Sequence, residues 1–305
     1  MDERYAEVGN GITLCYETFG DPAAPPVVLI MGLGTQMVAW DTRFCQQLAD
    51  DGFFVVRFDN RDTGRSTHLD DRPAPKVHEI ALRRIARPAY RLADMALDTV
   101  GLMDVLGIER AHVVGVSMGG MIAQTIAARH PGRVRSLTSI MSNTGARFSG
   151  QPALRTYPVL LGTSPKDREG FVERGLKTWT TIGSPGFERD DVELRAMIEL
   201  SFDRGTTATG SARQLGAIIA SGDRRRELRA VQAPTLVIHG DSDKLVAPSG
   251  GRATAKAIDG ARLIVIPGMG HDLPRAAWPQ IIGAIAQHAH GADVASGAER
   301  AVRAA

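Results

Sequence analysis

The run Ala111-His112-Val113-Val114-Gly115-Val116-Ser117-Met118-Gly119-Gly120 joins an apolar strand to a helix through a serine flanked by glycines. Strand character precedes Ser117, and residues 121–129 continue with helical periodicity. A G-x-S-x-G sequence in that context has a physical purpose. A nucleophilic serine must stand clear of the sheet on a sharp turn, in a strained backbone conformation. Gly115 and Gly119 lack a Cβ, so neighbouring chain can pass close to the turn. The helix that opens there aims its first N–H groups at negative charge developing beside the serine. Without the strand and the helix, the same letters would read as a glycine turn with an incidental serine.

Outward from this turn, apolar runs rich in Val and Ile recur at 26–31, 53–58, 134–141, 235–239 and 261–266. They lack strict alternation, which suits strands covered on both faces, as in a parallel sheet. Helical patterns separate them, most clearly at 42–51, 92–106 and 121–129. Strand–helix alternation with right-handed crossovers predicts an α/β fold, a mostly parallel twisted sheet with helices on both faces. Residues 5–18 read as a hairpin turning at Gly9-Asn10-Gly11, an antiparallel addition to the sheet edge. Residues 143–230 break the rhythm. They are helical in pattern, interrupted at Pro152, Pro158, Pro165 and Gly183-Ser184-Pro185-Gly186. The expected organisation is a core of 1–142 and 231–305 with a helical lid, 143–230, over the sheet's active edge. The Ala-rich, charged tail from Gly291 reads as a frayed helix or a disordered end.

The chain has 305 residues, 43% of them apolar and 23% charged, within the ordinary range for a soluble globular enzyme. A formal net charge of +2 gives no field that favours nucleic acid or an anionic membrane as partner. Arginine clusters at 83–91 and 224–226 read as solvated surface. The charged start Met1-Asp2-Glu3-Arg4-Tyr5 does not read as a secretory signal. Two cysteines, Cys15 and Cys45, make no disulfide framework. Reduced thiols in a cytoplasmic protein are the simpler expectation. Nothing in the sequence sets the oligomeric state.

A serine hydroxyl needs a base, and the base needs an orienting acid. In a strand–serine–helix architecture the partners follow in the order Ser, acid, His. The strand at 235–239 leads into Gly240-Asp241-Ser242-Asp243, which offers two carboxylates. Asp241 follows the glycine directly and suits local backbone bonding. Asp243 is therefore the preferred acid, with Asp241 the alternative. His271, in Gly268-Met269-Gly270-His271 after the last strand, is placed to act as general base to Ser117 and then as general acid. His112 and His239 occupy strand positions and read as packed or hydrogen-bonded. His68, His78, His130, His288 and His290 read as surface. His288 and His290 lack nearby Cys or carboxylate ligands, so no metal site is expected. An oxyanion hole needs two N–H donors. The N–H of Met118, after the nucleophile, and that of Leu33 in Met31-Gly32-Leu33-Gly34 are the candidates. Gly32, Met37, Trp40, Met118 and Met121 could wall an apolar substrate pocket, although each is equally at home in a core. The turn Asp59-Asn60-Arg61-Asp62-Thr63-Gly64-Arg65-Ser66 reads as structural, with Arg61 or Arg65 paired to Asp59 or Asp62.

Together GVSMGG, DNRDTGRS, HGDSD and PGMGH resemble the α/β-hydrolase superfamily over nearly the whole chain. Within it, FGDPAAP, LADDGFFVVRFDNRDTGRST, AHVVGVSMG and ARLIVIPGMGHDLP look like the bacterial group of aclacinomycin methylesterase. The resemblance implies a Ser117–His271–Asp243 triad, an oxyanion hole at Leu33 and Met118, and ester hydrolysis without a cofactor. Residues 143–230 carry no such likeness, so the ester is left open. A carboxylesterase for a small-molecule ester or lactone is the first reading. A perhydrolase (haloperoxidase-like) or C–C hydrolase would use the same triad, and a non-enzymatic receptor of the same fold is the third. Dehalogenases and epoxide hydrolases resemble this fold but place Asp where Ser117 stands.

Overall fold

The computed structural model describes residues 2–157, 165, 167–205 and 207–304, with side chains up to residue 297. The chain turn expected at Pro158 lies outside the described residues. Among those residues eight strands form one sheet in the order β1-β2-β4-β3-β5-β6-β7-β8. β1 (Arg4–Gly9) and β2 (Ile12–Phe19) make the hairpin, and β2 runs antiparallel to β4 (Phe54–Phe58). β3 (Pro26–Ile30), β4, β5 (Ala111–Val116), β6 (Val134–Ile140), β7 (Thr235–Gly240) and β8 (Arg262–Ile266) are mutually parallel. The hairpin turns where expected, and Asn10 and Gly11 take φ of 54° and 73°. Two positive φ values in a row match the primed turns whose twist suits paired strands.

The strands are buried on both faces because period-2 alternation sends apolar side chains to two cores. Val28, Ile30, Val56 and Val113 face one cluster, where α3 (Leu92–Val105) and α4 (Met118–Arg129) pack. Val27, Leu29, Val55 and Val114 face the other, filled by α1 (Thr42–Asp50) and the C-terminal α10 (Trp278–Ala304). The remaining core-side helices are the short α2 (Val77–Ala81) and α9 (Ser249–Ala257). α10 runs on past Gly291, so the tail expected to fray is helical in continuity with the core. Ala292 is buried, and Asp293 accepts from Arg135 at 3.0 Å.

Between β6 and β7 the described residues fold as α5 (Arg168–Ile182), α6 (Asp191–Asp203), α7 (Ala208–Ser221) and α8 (Arg225–Leu228). α5 and α6 pack against each other, with Phe171 and Phe202 ring centroids 5.4 Å apart. Several expectations for charged residues change here. Arg224 is buried, not solvated. Its guanidinium donates to Gln124 Oε1 at 3.2 Å and to the Asn143 carbonyl at 2.7 Å, and desolvation brings its pKa down to about 10. The Arg61 guanidinium pairs with Asp98 and that of Arg65 with Glu3, so neither guanidinium pairs with Asp59 or Asp62, although the Arg65 N–H donates to Asp59 Oδ2 at 3.1 Å. Those carboxylates instead receive arginines from the β6–β7 segment: Asp59 from Arg204 and Asp62 from Arg213. A sequence shows which acids need partners, but not which distant arginine will supply the charge. Cys15 and Cys45 are free and buried. His288 is half-buried, its Nε2 within 3.2 Å of the Leu137 and Pro234 carbonyls. No described helix is long and apolar enough to cross a membrane.

Candidate active site

Strand β5 ends at Val116, and α4 begins at Met118, leaving Ser117 alone at the junction. Its backbone takes φ 55° and ψ −118°, a conformation that is strained for any residue with a Cβ. The surroundings hold it there. Ser117 N–H donates to the Ile140 carbonyl at 2.9 Å, and its own carbonyl accepts from Ser142 Oγ at 2.7 Å. A Cβ on Gly115 would run into the Gly119 carbonyl, and one on Gly119 into that of Ile30. Glycine at both positions is therefore what lets β3, the turn and α4 approach so closely.

His271 and Asp243 arrive from two later loops. His271 Nε2 lies 3.0 Å from Ser117 Oγ, and Nδ1 lies 2.7 Å from Asp243 Oδ2. Asp243 Oδ1 accepts the N–H groups of Leu245 at 2.9 Å and Val246 at 2.8 Å. Burial alone would raise the Asp243 carboxyl. The charge of His271 and hydrogen bonds from His239 and His271 outweigh it and hold the group well below the usual carboxylate range. His239 sits beneath, Nε2 2.8 Å from the Val246 carbonyl and 3.5 Å from Asp243 Oδ2. Asp241 is exposed and accepts Gly268 N–H at 2.7 Å, so of the two sequence candidates Asp243 is the one brought to the histidine.

The His271 loop also rests on the end of α5. His271 N–H donates to the Ile182 carbonyl at 2.8 Å, and Gly270 N–H to Ser184 Oγ at 2.8 Å. Gly186 N–H donates to the Gly268 carbonyl at 3.0 Å, and Ser184 Oγ donates to Asp272. In the sequence, Gly183-Ser184-Pro185-Gly186 is a break in the helical pattern. Nothing in its letters tells of a contact 86 residues away.

The turn after β3 passes over the serine. A Cβ on Gly32 would stand 3.3 Å from Ser117 Cβ and 3.8 Å from Oγ. Thr35 N–H closes the turn on the Gly32 carbonyl at 3.3 Å, and Gly34 takes φ 63°. Leu33 lies on this turn, and Met118 heads α4, beside the serine. Ser117, His271, Gly32, Leu33 and Met121 all line one cavity of about 2140 Å³ between the sheet edge and the β6–β7 helices. Phe171, Trp179, Met197 and Leu215 line it from those helices. Met37, Trp40 and the Met118 side chain are placed differently from the sequence expectation. All three are fully buried in the apolar cores, Trp40 against Phe44 at 5.4 Å. Met37 is drawn inward by its N–H bond to Asp59 at 2.7 Å. Among the described residues no cluster of His, Cys, Asp or Glu is arranged to hold a metal.

Known proteins share this arrangement of chain. A family model described as alpha/beta hydrolase fold matches residues 25–274. Rhodomycin D methylesterase DauP of Streptomyces sp. (strain C5) is 30% identical over 309 residues, 93% of this chain and 97% of its own. 3-Oxoadipate enol-lactonase 2 of Acinetobacter baylyi is 28% identical, covering 84% of this chain and 85% of its own. Among solved structures, the enol-lactonase from Burkholderia xenovorans LB400 superposes with a TM-score of 0.72 at 27% identity, over 93% of this chain and 99% of its own.

Proposed function

The chain belongs to the alpha/beta hydrolase fold family, and on that premise we propose that it is a serine carboxylesterase whose substrate is a bulky, largely apolar ester. The observation that carries the proposal is the hydrogen-bonded series Ser117–His271–Asp243, at 3.0 and 2.7 Å, opening into one large cavity. In the acylation step Ser117 Oγ attacks the ester carbonyl carbon while His271 Nε2 takes the hydroxyl proton. Asp243 fixes the ring tautomer and stabilises the imidazolium. The oxyanion lies between the N–H groups of Leu33 and Met118. Collapse breaks the ester C–O bond, and His271 returns the proton to the departing alcohol. Water, deprotonated by the same nitrogen, then attacks the acyl carbon; the bond to Ser117 Oγ breaks, His271 returns the proton to Oγ, and the carboxylic acid leaves. No cofactor is needed at any step.

Residues 143–230 act in this reading as the lid that shapes the substrate. The cavity exceeds the roughly 300–1,000 Å³ of common small-ligand sites. A bulky ester therefore suits it better than a small one. Methyl esters are the first class to try, given the relatives whose names specify a methylesterase. Lactones are the second, since opening an enol-lactone is the same acyl chemistry. Two buried, free thiols suit a reducing cytoplasm.

The test is hydrolysis of para-nitrophenyl and methyl esters of graded acyl size by wild type and Ser117→Ala. Activity that rises with acyl bulk and vanishes in the variant supports the reading. A folded wild type inert on every ester and lactone would overturn it in favour of a receptor of the same fold.

A further inference from the structure

We propose that Gln214 is a positioning residue for the oxyanion hole, contributed by the β6–β7 segment to the core. The inference rests on the esterase reading above and concerns how its hole is held. Gln214 is on α7, 0% exposed, in a helix otherwise contributing Ala217, Leu215 and Ile218 to core and cavity wall. Its amide is satisfied at both ends. Oε1 accepts Gly34 N–H at 2.7 Å. Nε2 donates to the Arg61 carbonyl and to Thr63 Oγ1, each at 2.7 Å. Partner chemistry fixes the amide orientation. Gly34 N–H can only donate and the Arg61 carbonyl can only accept, so a flipped amide would oppose donor to donor.

The consequence is geometric. Gln214 ties together two loops that follow neighbouring parallel strands, β3 and β4. One is the turn that carries Leu33, and the other is the Asp59–Ser66 turn. The Gly34 N–H it holds is the next amide after that of Leu33. An oxyanion donor must stand within about 2.7–3.1 Å of the developing charge. A shift of a few tenths of an ångström in this turn therefore changes the fit to the transition state more than to the ground state. The turn's other lateral bonds lie at its ends: Asn60 Nδ2 donates to the Met31 carbonyl at 3.0 Å, Gln36 Nε2 to the Ser201 and Gly205 carbonyls at 2.7 Å, and Met37 N–H to Asp59 Oδ1 at 2.7 Å, while Gln214 holds its middle. Gly34 needs its positive φ, and a Cβ there would stand 3.3 Å from Ser211 Cβ on the same helix.

The helix does not depend on Gln214 for its place. The neighbouring Arg213 guanidinium grips Asp62 at 2.7 and 2.9 Å, and Thr207 caps the helix through Gly210 N–H at 3.0 Å. Removing the amide should thus loosen the turn while leaving α7 docked.

The experiment measures the rate at which a fluorophosphonate probe labels Ser117, because its P=O oxygen occupies the hole whatever the natural ester is. Wild type, Ser117→Ala, Gln214→Met and Gln214→Asn are compared, with thermal unfolding in parallel. Gln214→Met should label about 10- to 100-fold more slowly, a fraction of the loss seen when a hole donor is removed outright. Gln214→Asn keeps an amide at the site but is too short to span both partners, and should also be slowed. On a hydrolysed ester the loss should fall on kcat with KM little changed, and the pH profile should not move. A purely structural role would lower the unfolding temperature without that selective loss. A labelled wild type with variants that react equally fast overturns this proposal alone. A wild type that no fluorophosphonate labels overturns the esterase reading and this proposal with it.

Discussion

Asp243→Asn isolates the electrostatic part of the proposed mechanism, because the substitution changes charge and one set of lone pairs while preserving shape. In the native site Oδ1 is held by two backbone N–H groups and Oδ2 faces His271 Nδ1 at 2.7 Å. An asparagine has two ways to sit there. With its oxygen toward Leu245 and Val246, its NH₂ confronts Nδ1 and forces the proton onto Nε2, which can then no longer accept from Ser117. With its oxygen toward Nδ1, the NH₂ opposes two buried backbone donors. Either orientation also removes a carboxylate from beside the imidazolium that forms in the transition state. With charge centres about 4 Å apart and an effective dielectric near 20, that attraction is roughly 4 kcal/mol. The expected loss in kcat is therefore about 10³-fold. KM should change little, since Asp243 does not reach the cavity. Steady-state kinetics on the best ester found, with unfolding curves to confirm the fold, is the assay. Asp241→Asn is the control, expected to stay within about threefold of wild type because the Asp241 carboxylate is exposed and accepts from Gly268 N–H and Ser242 Oγ, away from His271. A kcat for Asp243→Asn within tenfold of wild type, or a comparable loss in Asp241→Asn, would refute the reasoning.

Burial raises the pKa of both cysteine thiols to about 12, so neither should react with a disulfide reagent at pH 8 until the protein is unfolded, when two thiols should titrate. Gly119→Ala places a Cβ against the Ile30 carbonyl and should destabilise by about 1–3 kcal/mol in urea unfolding, with slowed labelling of Ser117. Ser184→Ala leaves Gly270 N–H and Asp272 without their shared hydroxyl and should lower kcat about tenfold through a looser His271 loop, measured against an unchanged cavity-ligand affinity. The Asp243 pKa is depressed on folding. Its stabilising contribution should be whole above the unfolded value near 3.9 and be lost as pH falls further. The unfolding-temperature gap between wild type and Asp243→Asn should thus narrow as pH falls below about 4.

The core of the fold was legible because its signals are local. Each parallel strand is a run of Val, Ile and Leu short enough to be read without its neighbours, and the 26–31, 53–58 and 235–239 runs fall within one residue of β3, β4 and β7. The strand–serine–helix junction is equally plain, since the close approach of chain around Ser117 leaves no room for a Cβ at Gly115 or Gly119. The chain order of nucleophile, acid and base then narrowed the partners of Ser117 to one histidine and two aspartates. Choosing Asp243 over Asp241 used only the position of Asp241 directly behind Gly240.

What sequence reading missed lies where two distant segments meet. For Trp40 and Met37 the sequence leaves pocket wall and core equally open, and side-chain direction depends on a turn in which Met37 N–H donates to Asp59. Arg224 stood in an arginine cluster and read as solvent-exposed. Its burial follows from carbonyls and an amide supplied by Asn143 and Gln124. The same holds for the helices between β6 and β7. Gln214 is one polar letter among Ala, Leu and Ile, and Ser184 one small residue in a Gly-Pro break, but the first holds the turn of Leu33 and the second the loop of His271. In the proposed mechanism, the segment between β6 and β7 that would form the lid also carries supports for the hole and the base. Residues there cannot then be exchanged for specificity alone: a swap of 143–230 from a relative should preserve activity only when partners equivalent to Gln214 and Ser184 come with it.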